Sequence, residues 1–260
     1  MSISKKDAIR ALQTSEKLYV AYSRATSLPY VICDKESYND QAWIFSTEEG
    51  VKEFGKLKQE EDKSPLAGMC YNRKNFPELY SLLYAIGANS IVWNKGSERV
   101  EVELSEIAKQ KDISKMDPKT RPLLNPTLQL TAMYFLQELR RPVPNEEKTN
   151  LREMEEEVLA NLVKSEFLMA MQVDPKDPKK MNILLMKSKD GKVLQPFFSD
   201  VMEYAKFVKN QKLRMVKVPF LKVPDLLVPQ AEGLVINPLG FNLPLNKELL
   251  TRILGTKVKE

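Results

Sequence analysis

The chain repeats itself, and this constrains its fold more than any single motif does. Ala8, Ile9 and Leu12 precede Ser15-Glu16-Lys17-Leu18-Tyr19-Val20-Ala21, and at an offset of 150 Val158, Leu159 and Leu162 precede Ser165-Glu166-Phe167-Leu168-Met169-Ala170-Met171. Ile44-Phe45-Ser46-Thr47 followed by Phe54 is answered by Phe197-Phe198-Ser199-Asp200 followed by Phe207, at an offset of 153. Ile91-Val92-Trp93-Asn94 with Gly96 is answered by Leu234-Val235-Ile236-Asn237 with Gly240, at an offset of 143. Three matches in the same order indicate an internal duplication. The expectation is two similar mixed-sheet α+β domains in tandem. They fall at 1–124 and 145–260, with a bridging helix and linker at 125–144.

Local patterning supplies the elements. Helical spacing of apolar residues opens each copy: Ala8, Ile9 and Leu12 in the first, and Leu151, Met154, Val158, Leu159 and Leu162 in the second. Strand-like runs follow at Leu18–Tyr22, Tyr30–Cys33 and Ala42–Phe45, answered by Phe167–Val173, Asn182–Met186 and Val193–Phe198. Ser46 with Glu49 reads as a capping box, and Ser199 or Asp200 caps the equivalent helix. Helices are expected near Glu78–Ile86 and Pro224–Val228. Asn125-Pro126-Thr127 places a capping residue before a proline, which predicts a helix over Thr127–Arg140 ending ahead of Pro142. That helix is apolar on more than one face and is expected to pack between the domains. Pro142-Val143-Pro144-Asn145 is then a linker, and Asp112–Pro122 an exposed, lysine-rich loop.

Composition removes whole classes of chemistry. Of 260 residues 43% are apolar and 29% charged, so the chain has the makings of packed cores and not of a disordered segment. It contains no histidine. Ser-His-Asp and Cys-His arrangements and histidine zinc sites are therefore impossible. Two cysteines cannot make a four-thiolate zinc site or a disulfide framework. Gly50 with Gly55-Lys56 has phosphate-loop spacing, but Leu57 stands where a hydroxyl would hold the metal. No metal and no cofactor is expected. No apolar run is long enough to span a membrane, and no apolar segment follows the N-terminal lysines, so a cytoplasmic location is expected.

The second copy carries a longer pattern: Pro196–Phe207 (PFFSDVMEYAKF), the pair Leu226-Leu227, and Glu232-Gly233-Leu234-Val235-Ile236-Asn237-Pro238 with Gly240. In this order the pattern resembles the SseB family, the enhanced-serine-sensitivity type, in its N-terminal domain. The likeness is good over Ser165–Ile253 and blurred over Ser15–Ile107, where Trp93-Asn94-Lys95-Gly96 lacks the proline. The resemblance implies a small α+β domain of a cytoplasmic bacterial protein and brings no catalytic residues with it.

Candidate sites follow from charge. Residues 1–140 carry 20 basic and 19 acidic residues, whereas 141–260 carry 20 and 16. Lys206, Lys209, Lys212, Arg214, Lys217 and Lys222 form a stripe uninterrupted by acids. Such a stripe suits an acidic protein partner or, less well, nucleic-acid phosphates; a merely solvated face has the same composition. Asn237-Pro238-Leu239-Gly240 is expected as a turn, with proline presetting φ and glycine taking positive φ. Trp43, Trp93 and Cys33 are expected in cores. Cys70, next to Arg73 and Lys74, is a candidate reactive thiol. The leading expectation is a non-catalytic interaction or regulatory protein with an unidentified protein partner. The alternatives are an enzyme using carboxylates or the Cys70 thiol, and a nucleic-acid-binding protein using the Lys206–Lys222 stripe.

Overall fold

The computed structural model describes residues 3–110, 112–117, 120–173, 181–209, 211 and 213–255. It divides into two compact units, Met1–Met116 with Met133–Met154, and Asp117–Ala132 with Glu155–Glu260. Each contains one mixed sheet, of seven strands among the described residues, so the protein is α+β with two similar domains.

In the first unit, helix α1 (Lys5–Thr14) precedes strands β1 (Lys17–Ser23), β2 (Leu28–Pro29), β3 (Val31–Cys33) and β4 (Asp40–Phe45). Helix α2 (Glu48–Glu61), strand β5 (Leu66–Asn72), helix α3 (Phe76–Ala85), strands β6 (Ser90–Lys95) and β7 (Glu98–Glu103), and the short α4 (Leu104–Ile107) follow. β1 lies antiparallel to β4 and to β5; β4 runs parallel to β6, which pairs antiparallel with β7. The second unit has the same plan. Helix α6 (Leu151–Lys164) precedes β8 (Glu166–Val173), β9 (Met181–Ile183), β10 (Met186–Lys187) and β11 (Val193–Phe198). Helix α7 (Val201–Val208), strand β12 (Arg214–Pro219), helix α8 (Val223–Leu226), strands β13 (Gly233–Ile236) and β14 (Leu243–Asn246), and helix α9 (Lys247–Leu254) complete it. β8 is antiparallel to β11 and β12, β11 parallel to β13, and β13 antiparallel to β14. Tyr19 faces Phe45 and Leu168 faces Phe198, so the strand offset at this point is 149, not 150.

Helix α5 (Pro126–Leu139) starts at the proline, with Asn125 before it as expected. Its first part belongs to the second unit, where Gln129 Nε2 donates to Asp200 Oδ2 at 2.8 Å. Its last part belongs to the first, where Tyr134 Oη donates to Asp40 Oδ1 (2.6 Å) and Gln137 Nε2 to the Val31 carbonyl (3.1 Å).

Several local expectations shift. The cap of α2 is Thr47, not Ser46: Thr47 Oγ1 accepts from the Gly50 amide at 3.1 Å. Ser46 is still held to the sheet, its amide donating to the Asn94 carbonyl (2.9 Å). The run Tyr30–Cys33 is one residue shorter, Val31–Cys33 pairing with β4, and Cys33 at the strand end is exposed instead of buried. The run at Asn182–Met186 divides into β9 and β10.

Trp43 and Trp93 are buried as expected. Trp43 stacks on Phe54 of α2 with ring centroids 4.6 Å apart, and Phe45 tilts against the same ring at 5.2 Å. Phe54, together with Val51, thus holds α2 on its sheet. Both tryptophans of the chain lie in the first unit, so tryptophan fluorescence reports its unfolding alone. Phe54→Ala is expected to destabilise this transition by about 3–5 kcal/mol, while the second unit, followed by circular dichroism, keeps its midpoint.

Candidate functional site

The sequence pattern that marks the second unit builds a buried polar junction at the start of α7. Asp200 caps the helix, its Oδ1 accepting the amides of Met202 (2.7 Å) and Glu203 (3.0 Å). Its Oδ2 accepts from Gln129 Nε2 and from Ser199 Oγ, both at 2.8 Å. Ser199 Oγ in turn accepts from Asn237 Nδ2 at 2.7 Å, and the Ser199 amide donates to Asn237 Oδ1 at 2.8 Å. All three side chains are at most 1% exposed. A junction so enclosed is held together by its own donors and acceptors, and each broken bond would strand a buried group. Ser199 is part of this junction and is wholly buried in it.

Asn237-Pro238-Leu239-Gly240 is the expected turn, closed by the Gly240 amide on the Asn237 carbonyl (2.9 Å). The positive φ (50°) falls on Asn237, however, and not on Gly240. Gly240 is small for another reason: a Cβ there would come within 2.5 Å of Glu203 Oε2. Glu203 is 2% exposed, with one oxygen bound by Lys206 and Oε2 without a partner. Burial raises its carboxyl above the usual range, Lys206 opposes that shift, and Asp200 adds to it.

The basic residues sort by element. Lys206 is committed to Glu203, and Lys209 follows at the end of α7, exposed, with φ of 49°. Lys212 lies outside the described residues. Arg214 and Lys217 are both on β12, but strand alternation sends them to opposite faces. Lys217 shares its face with Met215, opposite Leu168 and Ala170 under α7, and its Nζ donates to the Arg121 carbonyl at 3.1 Å. Arg214 lies with Val216 and Val218 and contacts Met181 Sδ at 3.7 Å. Lys222 is exposed in the turn after β12. β12 pairs only with β8 among the described residues, so it is an edge strand.

A cavity of about 700 Å³ in the same unit has an apolar floor of Leu194, Val235 and Leu245 and is lined by Lys187, Lys189 and Lys192 on and beside the turn between β10 and β11. Lys192 is paired with Asp190 at 3.2 Å, and Glu232 accepts the Val193 amide at 3.0 Å. Nothing in the sequence singled it out, because its walls come from separated strands. In the first unit Cys70 sits exposed on β5. No group of three or more Cys, Asp or Glu that could hold a metal is found among the described residues. None of their helices is long and apolar enough to cross a membrane.

Residues 147–252 match the family model of the SseB protein N-terminal domain. Among solved structures, Anabaena Tic22 (protein transport) is similar at 11% identity, covering 85% of this chain and 84% of that one, with a TM-score of 0.22. Tic22 from Plasmodium falciparum is similar at 11% identity, covering 95% of each chain, also with a TM-score of 0.22. Scores this low bear on neither fold nor function. No curated protein matches the chain.

Glu203 gives a signed pH prediction. Between the ordinary glutamate value of 4.5 and its raised value in the folded state, the folded protein binds more protons than the unfolded one. Stability from this group is therefore present at low pH and lost as pH rises through that window. Glu203→Gln is expected to abolish this loss, so its unfolding midpoint should exceed the wild type's at neutral pH and converge with it, or fall below, at pH 4.

Proposed function

We propose, taking residues 147–252 as an SseB protein N-terminal domain, that the chain is a cytoplasmic, non-catalytic interaction protein. In this proposal it offers a basic edge of its second unit to an acidic partner protein. The supporting observation is the position of Lys217. It is exposed on an edge strand, on the face that also carries Met215, which is 46% exposed. Exposed lysines at Lys209 and Lys222 lie in the segments on either side of that strand. An apolar spot with basic surroundings gives both contact area and charge selection.

Charged side chains on an edge strand also discourage unwanted strand addition. The two roles differ in what charge reversal does to binding. The triple variant Lys209→Glu, Lys217→Glu, Lys222→Glu alters exposed positions, so each change should cost within about 0.5 kcal/mol of stability. In capture from lysate, the wild type is expected to retain a protein that the variant releases, with retention weakening as salt rises. Identical retention by both forms would overturn the proposal. Retention abolished by nuclease would assign the edge to nucleic acid instead.

A further inference from the structure

Strand β5 presents the opposite kind of edge. It reads Leu66-Ala67-Gly68-Met69-Cys70-Tyr71-Asn72, seven residues without a charge, and pairs only with β1 among the described residues. The Arg24 amide donates to the Pro65 carbonyl and the Arg73 amide to the Glu16 carbonyl, both at 2.9 Å. These two bonds fix which residues face β1: Ala67, Met69 and Tyr71 do so, and the backbone groups of Leu66, Gly68, Cys70 and Asn72 point outward, the Leu66 carbonyl accepting from Arg24 Nε at 3.2 Å. Gly68, Met69 and Cys70 are exposed. A long, uncharged edge with outward amides and carbonyls is a template for another strand.

Beside this edge runs a groove of about 620 Å³ between β5 and α2. Lys52, Gly55, Lys56 and Gln59 recur at helical spacing, so one stripe of α2 forms its wall. Val51 and Leu66 provide an apolar floor, and the cations Arg24, Lys52 and Lys56 outnumber the single carboxylate of Glu60. Lys52 is held by Glu48 at 2.5 Å, but this pair is exposed and readily exchanged.

The two glycines at the groove differ in what the fold asks of them. Gly68 is required, since a Cβ would come within 2.6 Å of Val51 Cγ1. Gly55 is not: a Cβ there would meet only Leu66 Cβ, at an ordinary 3.8 Å. Glycine inside a helix is destabilising relative to alanine. Gly55 therefore weakens α2 without relieving any contact inside the chain, and its effect is to leave the groove open.

We propose that β5 and α2 form a peptide-binding groove, in which an extended acidic segment of a partner protein adds as a strand to the free edge of β5. Its acidic side chains meet Arg24, Lys52 and Lys56, and the space above Gly55 receives one of its side chains. This site lies in the first unit and stands independently of the basic edge in the second.

Cys70 provides the readout. In a Cys33→Ser chain it is the only thiol, and it lies on the strand to be covered. The probe is a blocked peptide alternating valine with glutamate, and its control carries lysine in place of glutamate. The acidic peptide is expected to slow maleimide modification of Cys70 in a saturable way, and the lysine peptide to leave it unchanged. Gly55→Leu is expected to keep or raise the thermal midpoint and to lose the protection. Lys52→Glu with Lys56→Glu, which leaves the groove open, should lose it too. Equal protection by both peptides, or none by the acidic one, would overturn the proposal. Protection retained in Gly55→Leu would do the same. Protection that rises with protein concentration alone would assign the edge to a second copy of the chain.

Discussion

Each unit depends on a buried asparagine at the end of the strand that runs parallel to its neighbour, Asn94 on β6 and Asn237 just after β13. Asn94 donates from Nδ2 to the Ile44 and Val92 carbonyls at 3.2 and 2.9 Å, and its own carbonyl accepts the Ser46 amide. Asn237 donates its amide to the Phe197 carbonyl and uses both side-chain atoms on Ser199. In both units the residue that leaves the strand toward the helix is thereby tied to the neighbouring strand. The direction of the helix is set within a few residues of that tie, and the aromatic side chains behind it can then pack. A carbonyl or amide left unpaired here would cost about 1–3 kcal/mol, which is a large part of the stability of a domain this size.

The two units then diverge at equivalent positions of one design. The third residue of the helix is Gly50 in the first unit and Glu203 in the second, each donating its amide to the cap before it. Glu203 occupies space against Gly240 and is neutralised in part by Lys206. In the first unit the turn glycine, Gly96, instead takes a positive φ of 62°. The edge strands diverge as well: β12 carries Arg214 and Lys217, whereas β5 carries no charge. The two units share the central tie and differ at their margins. It is at the margins that both proposed contacts lie.

The succession of elements and the mixed-sheet class are legible in the sequence, because apolar runs, a capping residue and a strand-end asparagine recur in the same order; which strands pair is not. The caps themselves were less so. Ser46 and Thr47 are both good caps by chemistry, and only the bond from the Ser46 amide to Asn94 decides between them. Cys33 looked buried because its neighbours are apolar, but a strand of three residues ends there. The basic stripe is uninterrupted by acids in sequence and is divided in space, since Arg214 and Lys217 lie an odd number of positions apart on one strand, with Met215 and Val216 between them, and alternation sends them to opposite faces. The groove beside β5 left no pattern at all. Its walls are a helix face and a strand edge, and its one clue, a glycine in the middle of α2, has meaning only when the space around it is known.

The groove depends on β5 presenting outward amides at Gly68 and Cys70 while its other side is locked to β1. Amide hydrogen exchange followed residue by residue tests it directly. Protection is expected to alternate along the strand, with the amides of Ala67, Met69 and Tyr71 exchanging slowly and those of Gly68 and Cys70 exchanging fast. Uniform slow exchange across Ala67–Tyr71 would contradict it, because the outward amides would then already have partners.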